Sequence, residues 1–501
     1  MTATTGTFLG HPRGLATLFF TEFFERFSYY GMRALLVLFL TAPLAAGGLN
    51  IDAKTAGAIY GIYAGAVYLF SLPGGWLADR LFGQQTMIWV GGLFIALGNF
   101  LLAVPMVSVF YLGLVAIVIG TGCLKPNISA IVGELYRHDT GARRDAGFSI
   151  FYMGINLGAT IAPLVSGTIG EIFNYRLGFA TAGLAMLLGV AQFRLTARHL
   201  HGAGQSPAQS DTQVRTRDWR IFLGMIALAA AVMAAVLTGV ITINPESLAQ
   251  VMRQWMVALA VVFFGGILIF GKLTIEERRR IYVIIAFVIA SMLFWAGFEQ
   301  AGSTLNFFAR DLTDRSLLGS WFVSGEHPAS WYQAVNPTYI ILLSPVFAAI
   351  WMRLGIKRLD PSAPVKMALG LTLLGLGFAV LMLASQLILV QGGKAGPQWL
   401  LLAYLFHTCG ELCLSPIGLS NMTKLAPQRF AGQMMGTWFL GTAIGNLIAG
   451  LAGGDVGSEV NGMPGKFLQM TLIGVVSGLV MFLISGKLRR WMGSADERSA
   501  S

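Results

Sequence analysis

Residues 21–31 read TEFFERFSYYG, inside a mostly apolar run from Leu15 to Leu44 that is long enough to cross a bilayer. A membrane helix with that composition has no reason to carry Glu22, Glu25 and Arg26, and then Arg33 two turns on. Each charge at the bilayer centre costs at least about 2.5–3.5 kcal/mol on insertion scales. These charges therefore cannot face lipid. They must face the interior of a helix bundle or a water-filled cavity, which makes the stretch a candidate functional site as well as a membrane span.

The rest of the chain agrees with that reading. Of its 501 residues 55% are hydrophobic and only 11% are charged, whereas soluble proteins carry roughly 25% charged residues. The chain reads as an all-α polytopic membrane protein. The formal charge of +11 is spread over short loops rather than gathered in one patch, so no nucleic-acid partner is expected. Cys123, Cys409 and Cys413 all fall in apolar spans, and no disulfide framework is implied. No cleavable signal peptide is expected, since the N-terminus lacks a basic region and a clean apolar core before the first span.

Divided into spans of about 20 residues, the sequence gives about fourteen helices, near 14–43, 54–78, 86–106, 109–135, 144–172, 176–195, 220–242, 251–272, 280–308, 331–353, 364–389, 398–424, 431–453 and 466–486. An even number puts both termini on one side. Basic clusters such as Arg143-Arg144, Arg215/Arg217/Arg220, Arg278-Arg279-Arg280 and Lys487/Arg489/Arg490 fall at the C-terminus and in the even-to-odd loops. The excess of Lys and Arg places those segments, and with them both termini, in the cytoplasm.

One polar stretch, from about Arg198 to Asp218 and rich in Gly, Ser, Gln and Asp, reads as a linker. A faint internal echo spans it. Cys123-Leu124-Lys125-Pro126 is matched by Cys413-Leu414-Ser415-Pro416, and Arg144-Asp145-Ala146-Gly147 by Arg429-Phe430-Ala431-Gly432. Two related six-helix halves with two inserted helices account for this, an arrangement in which a transport site lies near midplane. The expected boundaries are 1–195 for the first bundle, 196–219 for the linker, 220–272 for the inserted pair, 273–490 for the second bundle and 491–501 for a cytoplasmic tail.

Glu22, Glu25, Arg26, Tyr29, Tyr30 and Arg33 are linked by steps of three or four residues and share one stripe of the first helix. Glu22 and Arg26 form an i,i+4 pair. A structural ion pair and an aqueous cavity both explain a single such pair; a stripe of four charges and two tyrosines favours the cavity. Lys125, Glu299 and Glu411 are further isolated charges in other spans. Buried lone charges neutralise or find partners, so two cations and two anions on separate helices invite bridges that break and reform. Pro126 and Pro416 sit beside Lys125 and Glu411 at points where a helix kinks. His407, one turn before Glu411, reads as a packing histidine, and the Gly57/Gly61/Gly65 string as a packing face. No metal-ligand spacing and no G-x-S-x-G, Walker or HExxH motif appears, so neither an enzyme nor an ATP-driven pump is expected, and no cofactor.

Glu22-Phe23-Phe24-Glu25-Arg26-Phe27-Ser28-Tyr29-Tyr30 resembles the ExxER[FY]xYY motif of the proton-dependent oligopeptide transporter family, the peptide branch of the major facilitator superfamily. Phe151-Tyr152-Met153-Gly154-Ile155-Asn156-Leu157-Gly158 resembles its FYxxINxG signature, and Gly120-Thr121-Gly122 through Lys125-Pro126 its fourth-helix signature. Gly75-Trp76-Leu77-Ala78-Asp79-Arg80-Leu81-Phe82-Gly83 resembles the superfamily motif between helices 2 and 3. The resemblance runs through essentially the whole chain, and fourteen helices with two inserted is the layout of bacterial members.

The resemblance implies a monomeric symporter of di- and tripeptides in the bacterial inner membrane, surrounded by lipid and driven by the proton gradient through alternating access. Arg26, Arg33 and Lys125 would face the peptide carboxylate. Glu411, helped by Asn156 and Asn336, would receive the amino terminus. Tyr29, Tyr30, Tyr68, Trp295, Phe298, Ser415 and Trp438 would line the remaining pocket. Glu22, Glu25 and Arg26, with Glu299, would couple protons; Arg33 with Glu299 and Lys125 with Glu411 would be latches, with Pro126 and Pro416 as hinges. Two departures stand out. The histidine that animal relatives carry in helix 2 is absent, and the loop motif ends Gly83-Gln84-Gln85 where the superfamily usually has a basic residue. Plant relatives move nitrate, which leaves another small solute as the alternative; Glu411 argues for peptides, because an anion carrier has no need of it. A peptide-sensing receptor is a further alternative, but the tail after Lys487 is too short for an output domain.

Overall fold

The computed structural model describes residues 7–137, 139, 141–205, 212–458 and 462–493. Its long helices, numbered in chain order, are α1 (Arg13–Thr41), α2 (Ala53–Phe82), α3 (Gln84–Ala103), α4 (Val107–Leu135), α5 (Gly141–Ile172), α6 (Tyr175–Leu200) and α7 (Thr212–Leu237). They continue with α8 (Pro245–Phe270), α9 (Ile275–Asp311), α10 (Ala329–Ile356), α11 (Ala363–Gln391), α12 (Gln398–Leu425), α13 (Ala431–Ser458) and α14 (Met463–Met492). Among the described residues, 13 of these are apolar and long enough to cross a membrane by composition. The remaining one, α1, has the length at 29 residues but carries the charges quoted above. A two-stranded ribbon, Thr7–Phe8 with His11–Pro12, precedes it.

Element ends differ from the sequence reading mainly at the polar linker. α7 begins at Thr212, so Arg215, Arg217 and Asp218 are helical rather than part of the linker. Hydropathy finds the apolar part of a helix and misses a polar overhang in water. α9 is also longer than its apolar core. It opens with a capping box, in which Thr274 Oγ1 accepts from the Glu277 amide and the Glu277 carboxylate accepts from the Thr274 amide.

The chain divides into two compact units, one of residues 1–35 and 66–248, the other of residues 36–65 and 249–501. The C-terminal end of α1 and the N-terminal half of α2 thus group with the later helices, which no bundle boundary drawn from sequence anticipates. In the first unit α3 packs on α4 and α6, around a core containing Leu15, Leu18, Ile95, Leu124, Ile128, Ile131 and Phe193. In the second, α11 packs on α12 and α14, and α9 on α13. The inserted helices α7 and α8 have little covered surface (0% and 17% of their apolar windows), consistent with apolar helices that face acyl chains.

Glycine decides the closest approaches. A Cβ on Gly57 would stand 2.4 Å from the Gly450 carbonyl oxygen, and one on Gly61 2.9 Å from that of Leu447. The small-residue stripe of α2 is therefore laid on α13 of the second unit, backbone on backbone. In the first unit Pro126 has no N–H to give the Gly122 carbonyl, and a Cβ on Gly74 of α2 would stand 2.1 Å from that oxygen. A glycine thus covers the carbonyl that faces the proline. Asn127 braces the same spot, its Nδ2 donating to Cys123 O at 2.6 Å and to Gly74 O at 3.4 Å.

The loop that departs from the superfamily pattern is tied by amides. The Gln85 amide donates to Gly204 O at 2.9 Å and Gln85 Nε2 to Ala203 O at 2.5 Å. The Gly204 amide in turn donates to Glu134 Oε2 at 2.8 Å. Gly204 holds a φ of +73° that suits glycine. The start of the linker thereby anchors the α2–α3 turn where a basic side chain is expected.

Candidate functional site

The first unit carries the cationic part. Glu22, Glu25, Arg26, Tyr29 and Arg33 are all buried on α1, Glu25 with no exposed surface. Arg26 Nε lies 3.0 Å from Glu22 Oε1 and also pairs with Glu25. One guanidinium thus serves two carboxylates, and removing one partner of such a buried pair costs about 3–5 kcal/mol. The same guanidinium lies 5.4 Å from the ring centre of Tyr29, and that of Arg33 lies 5.5 Å from Tyr30. Lys125 Nζ stands 4.0 Å from the ring centre of Tyr68. Aromatic faces stabilise cations with no negative charge of their own, so these rings help hold the three cations in place.

Helix α5 shows why the FYxxINxG spacing matters. A Cβ on Gly158 would stand 2.3 Å from Phe23 O and 3.2 Å from the Arg26 Cβ, and one on Gly154 2.9 Å from the Phe19 ring. The two glycines let α5 lie directly on the charged turn of α1. Asn156 between them is buried, its Nδ2 donating to Tyr152 O at 2.9 Å.

The second unit carries the anionic part. Asn336 of α10 donates through Nδ2 to Glu411 Oε2 at 3.0 Å and to Thr408 Oγ1 at 3.0 Å. Ser415 is half-buried on α12 one turn beyond Glu411. Trp295 and Phe298 of α9 meet edge to face at 5.3 Å, and Phe298 stacks on Phe294 at 5.5 Å. Trp438 is buried against Gly418, whose added Cβ would stand 2.0 Å from its ring. His407 packs on Phe378 with ring centres 4.8 Å apart, as a packing histidine does. Glu299 is buried where α9 tightens into a 3-10 turn. Tyr60 donates its hydroxyl to Glu299 O at 3.1 Å and lies 3.5 Å from Glu299 Oε2.

Of the expected groupings, the structure brings together Glu22, Glu25 and Arg26, and separately Asn336 and Glu411. Arg33, Lys125 and Asn156 stand in the first unit, Glu299 and Glu411 in the second. Sequence reading missed Tyr60 and Thr408. Tyr60 lies inside the Gly57/Gly61 string and could have been found by asking what a buried tyrosine hydroxyl bonds to. Thr408 carries no signal beyond its place three residues before Glu411.

The chain is similar to known proteins over nearly its whole length. Residues 85–454 match the POT family. It is 40% identical to the peptide transporter YePEPT of Yersinia enterocolitica subsp. palearctica serotype O:3, covering 98% of this chain and 97% of that protein. It is 38% identical to a di-/tripeptide transporter of Lactococcus lactis subsp. cremoris, covering 97% and 98%. Among solved structures, the peptide transporter POT in complex with sulfate superposes with a TM-score of 0.90 at 40% identity, covering 97% of each chain.

Proposed function

Because the chain belongs to the POT family, with the major facilitator fold of its structural neighbours, we propose that it is a proton-coupled symporter importing di- and tripeptides. It works by alternating access, as a monomer, in the inner membrane of a bacterium, with both termini cytoplasmic. The observation that carries the reading is the buried ion cluster of α1, where Arg26 pairs with Glu22 and Glu25, together with the aromatic faces that hold Arg33 and Lys125. The Asn336–Glu411 pair supplies an acidic group of its own. A peptide in its common form is a zwitterion, with a carboxylate suited to the cations and an ammonium suited to Glu411. Tyr29, Tyr30, Tyr68, Trp295, Phe298, Ser415 and Trp438 supply broad walls that tolerate many side chains.

Coupling follows from the shared guanidinium. Arg26 pairs with Glu22 and Glu25, and the peptide carboxylate competes with them for it. A proton on one glutamate releases the guanidinium to the peptide, and peptide binding leaves a glutamate ready for a proton. Each ligand then favours the other, the reciprocity that coupling requires. A pH unit supplies about 1.4 kcal/mol and 100 mV about 2.3 kcal/mol per charge, enough for accumulation of tens- to hundreds-fold. Arg33 with Glu299 and Lys125 with Glu411 act as the latches of the two end states, with Glu299 a second proton carrier and Pro126 and Pro416 the bending points.

The test is uptake of labelled dialanine into liposomes holding only this protein, under an inward proton gradient. Accumulation above equilibrium that an uncoupler abolishes is expected. Glu22→Gln should lose accumulation and keep counterflow exchange. Absence of uptake by folded protein, with no competition by other peptides, refutes the peptide assignment.

A further inference from the structure

Thr408 sits at the anionic site without a role so far. It is fully buried on α12, and its hydroxyl donates to Tyr404 O at 2.7 Å. A hydroxyl has a single hydrogen, so toward any other neighbour Oγ1 acts as an acceptor. Asn336 Nδ2 meets that acceptor at 3.0 Å and meets Glu411 Oε2 at 3.0 Å. The amide nitrogen has two hydrogens, and these two contacts use both. The opposite amide orientation would set Oδ1 against a hydroxyl oxygen whose proton points elsewhere and against a carboxylate. Thr408 and Glu411 together therefore fix which way the Asn336 amide faces.

We propose that Thr408 is a positioning residue for substrate selection. It holds the Asn336 amide so that Oδ1, beside the Glu411 carboxylate, accepts from a primary ammonium on the substrate. A free amino terminus brings three N–H donors and a positive charge to that pair of acceptors. An acylated amino terminus brings one donor and no charge. The preference for a free amino terminus is then set partly by a hydroxyl that never touches the peptide. The inference rests on the reading of Glu411 and Asn336 as the amine end of a peptide site.

The experiment uses the full chain in liposomes and dialanine counterflow. It measures half-saturation by dialanine and competition by N-acetyl-dialanine for wild type, Thr408→Val, Thr408→Ser and Glu411→Gln. Loss of one neutral hydrogen bond predicts that Thr408→Val raises the half-saturating dialanine concentration about 3–10-fold. Competition by the acetylated peptide should be unchanged, so the preference falls by the same factor, and Thr408→Ser restores it. Equal weakening of both peptides, or of neither, makes Thr408 a packing residue and overturns the inference. A preference that Glu411→Gln leaves intact overturns the amine-end reading itself, whatever Thr408 does. If the valine variant does not fold, Thr408→Ala is judged by the same ratio.

Discussion

Gly158→Ala probes the closest approach in the charged part of the site. The added methyl would stand 2.3 Å from Phe23 O, and 3.2 Å from both Phe23 C and Arg26 Cβ, where ordinary contact begins near 3.4 Å. The obstacles are main-chain atoms and the root of a side chain, so nothing can rotate away. The helices must part by about 1 Å at the turn that carries Arg26, and overpacking of this kind costs about 1–3 kcal/mol. Alanine is the better helix former by about 0.8–1.0 kcal/mol, which offsets part of that. The internal control is Gly265→Ala in α8, where nothing lies within 4 Å of the new methyl and only the propensity gain remains. Thermal unfolding of the purified protein should show Gly158→Ala several degrees below wild type and Gly265→Ala at or above it. Dialanine counterflow should fall only in the first. Indistinguishable melting and exchange in the two variants would refute the claim that α5 is seated on α1 through this glycine.

Other consequences can be checked as directly. Tyr60→Phe removes the hydroxyl that donates to Glu299 O and should cost about 0.5–1.5 kcal/mol, the net worth of one hydrogen bond; a melting point equal to that of wild type would show the bond to be dispensable. In the segment between α9 and α10, Glu326 accepts from Lys394 at 2.7 Å and pairs with Arg315. The hydrogen bond from Lys394, and then the Arg315 charge, hold its carboxyl below the ordinary glutamate value. A depressed carboxyl contributes stability above its unfolded pKa and loses it as pH falls through the lower folded value. Lys394→Gln should therefore lower the melting temperature at pH 7 and flatten its decline between pH 5 and pH 3; an unchanged acid limb would show the pair to be inert.

Much of the molecule is legible in one dimension because a bilayer is a simple solvent. It demands some twenty apolar residues per crossing, so the spans follow from hydropathy and each interior charge marks itself as anomalous. Glu22, Glu25 and Arg26 were readable as a unit because helical spacing alone places them together, and the structure pairs them. Asn336 with Glu411 required the family resemblance, since residues 75 apart in sequence share no local rule. The polar start of α7 was misread as linker because its residues suit water in either conformation.

The sequence by itself determined that this chain crosses a membrane many times and carries buried charge, since both follow from composition and period. Tertiary structure alone decided which surfaces meet. Gly57 lies on Gly450, Gly74 lies on the Gly122 carbonyl one turn before Pro126, Gln85 binds the linker, and Tyr60 reaches Glu299. Each joins positions far apart in the chain, where close packing selects partners by shape and unsatisfied hydrogen bonds rather than by spacing.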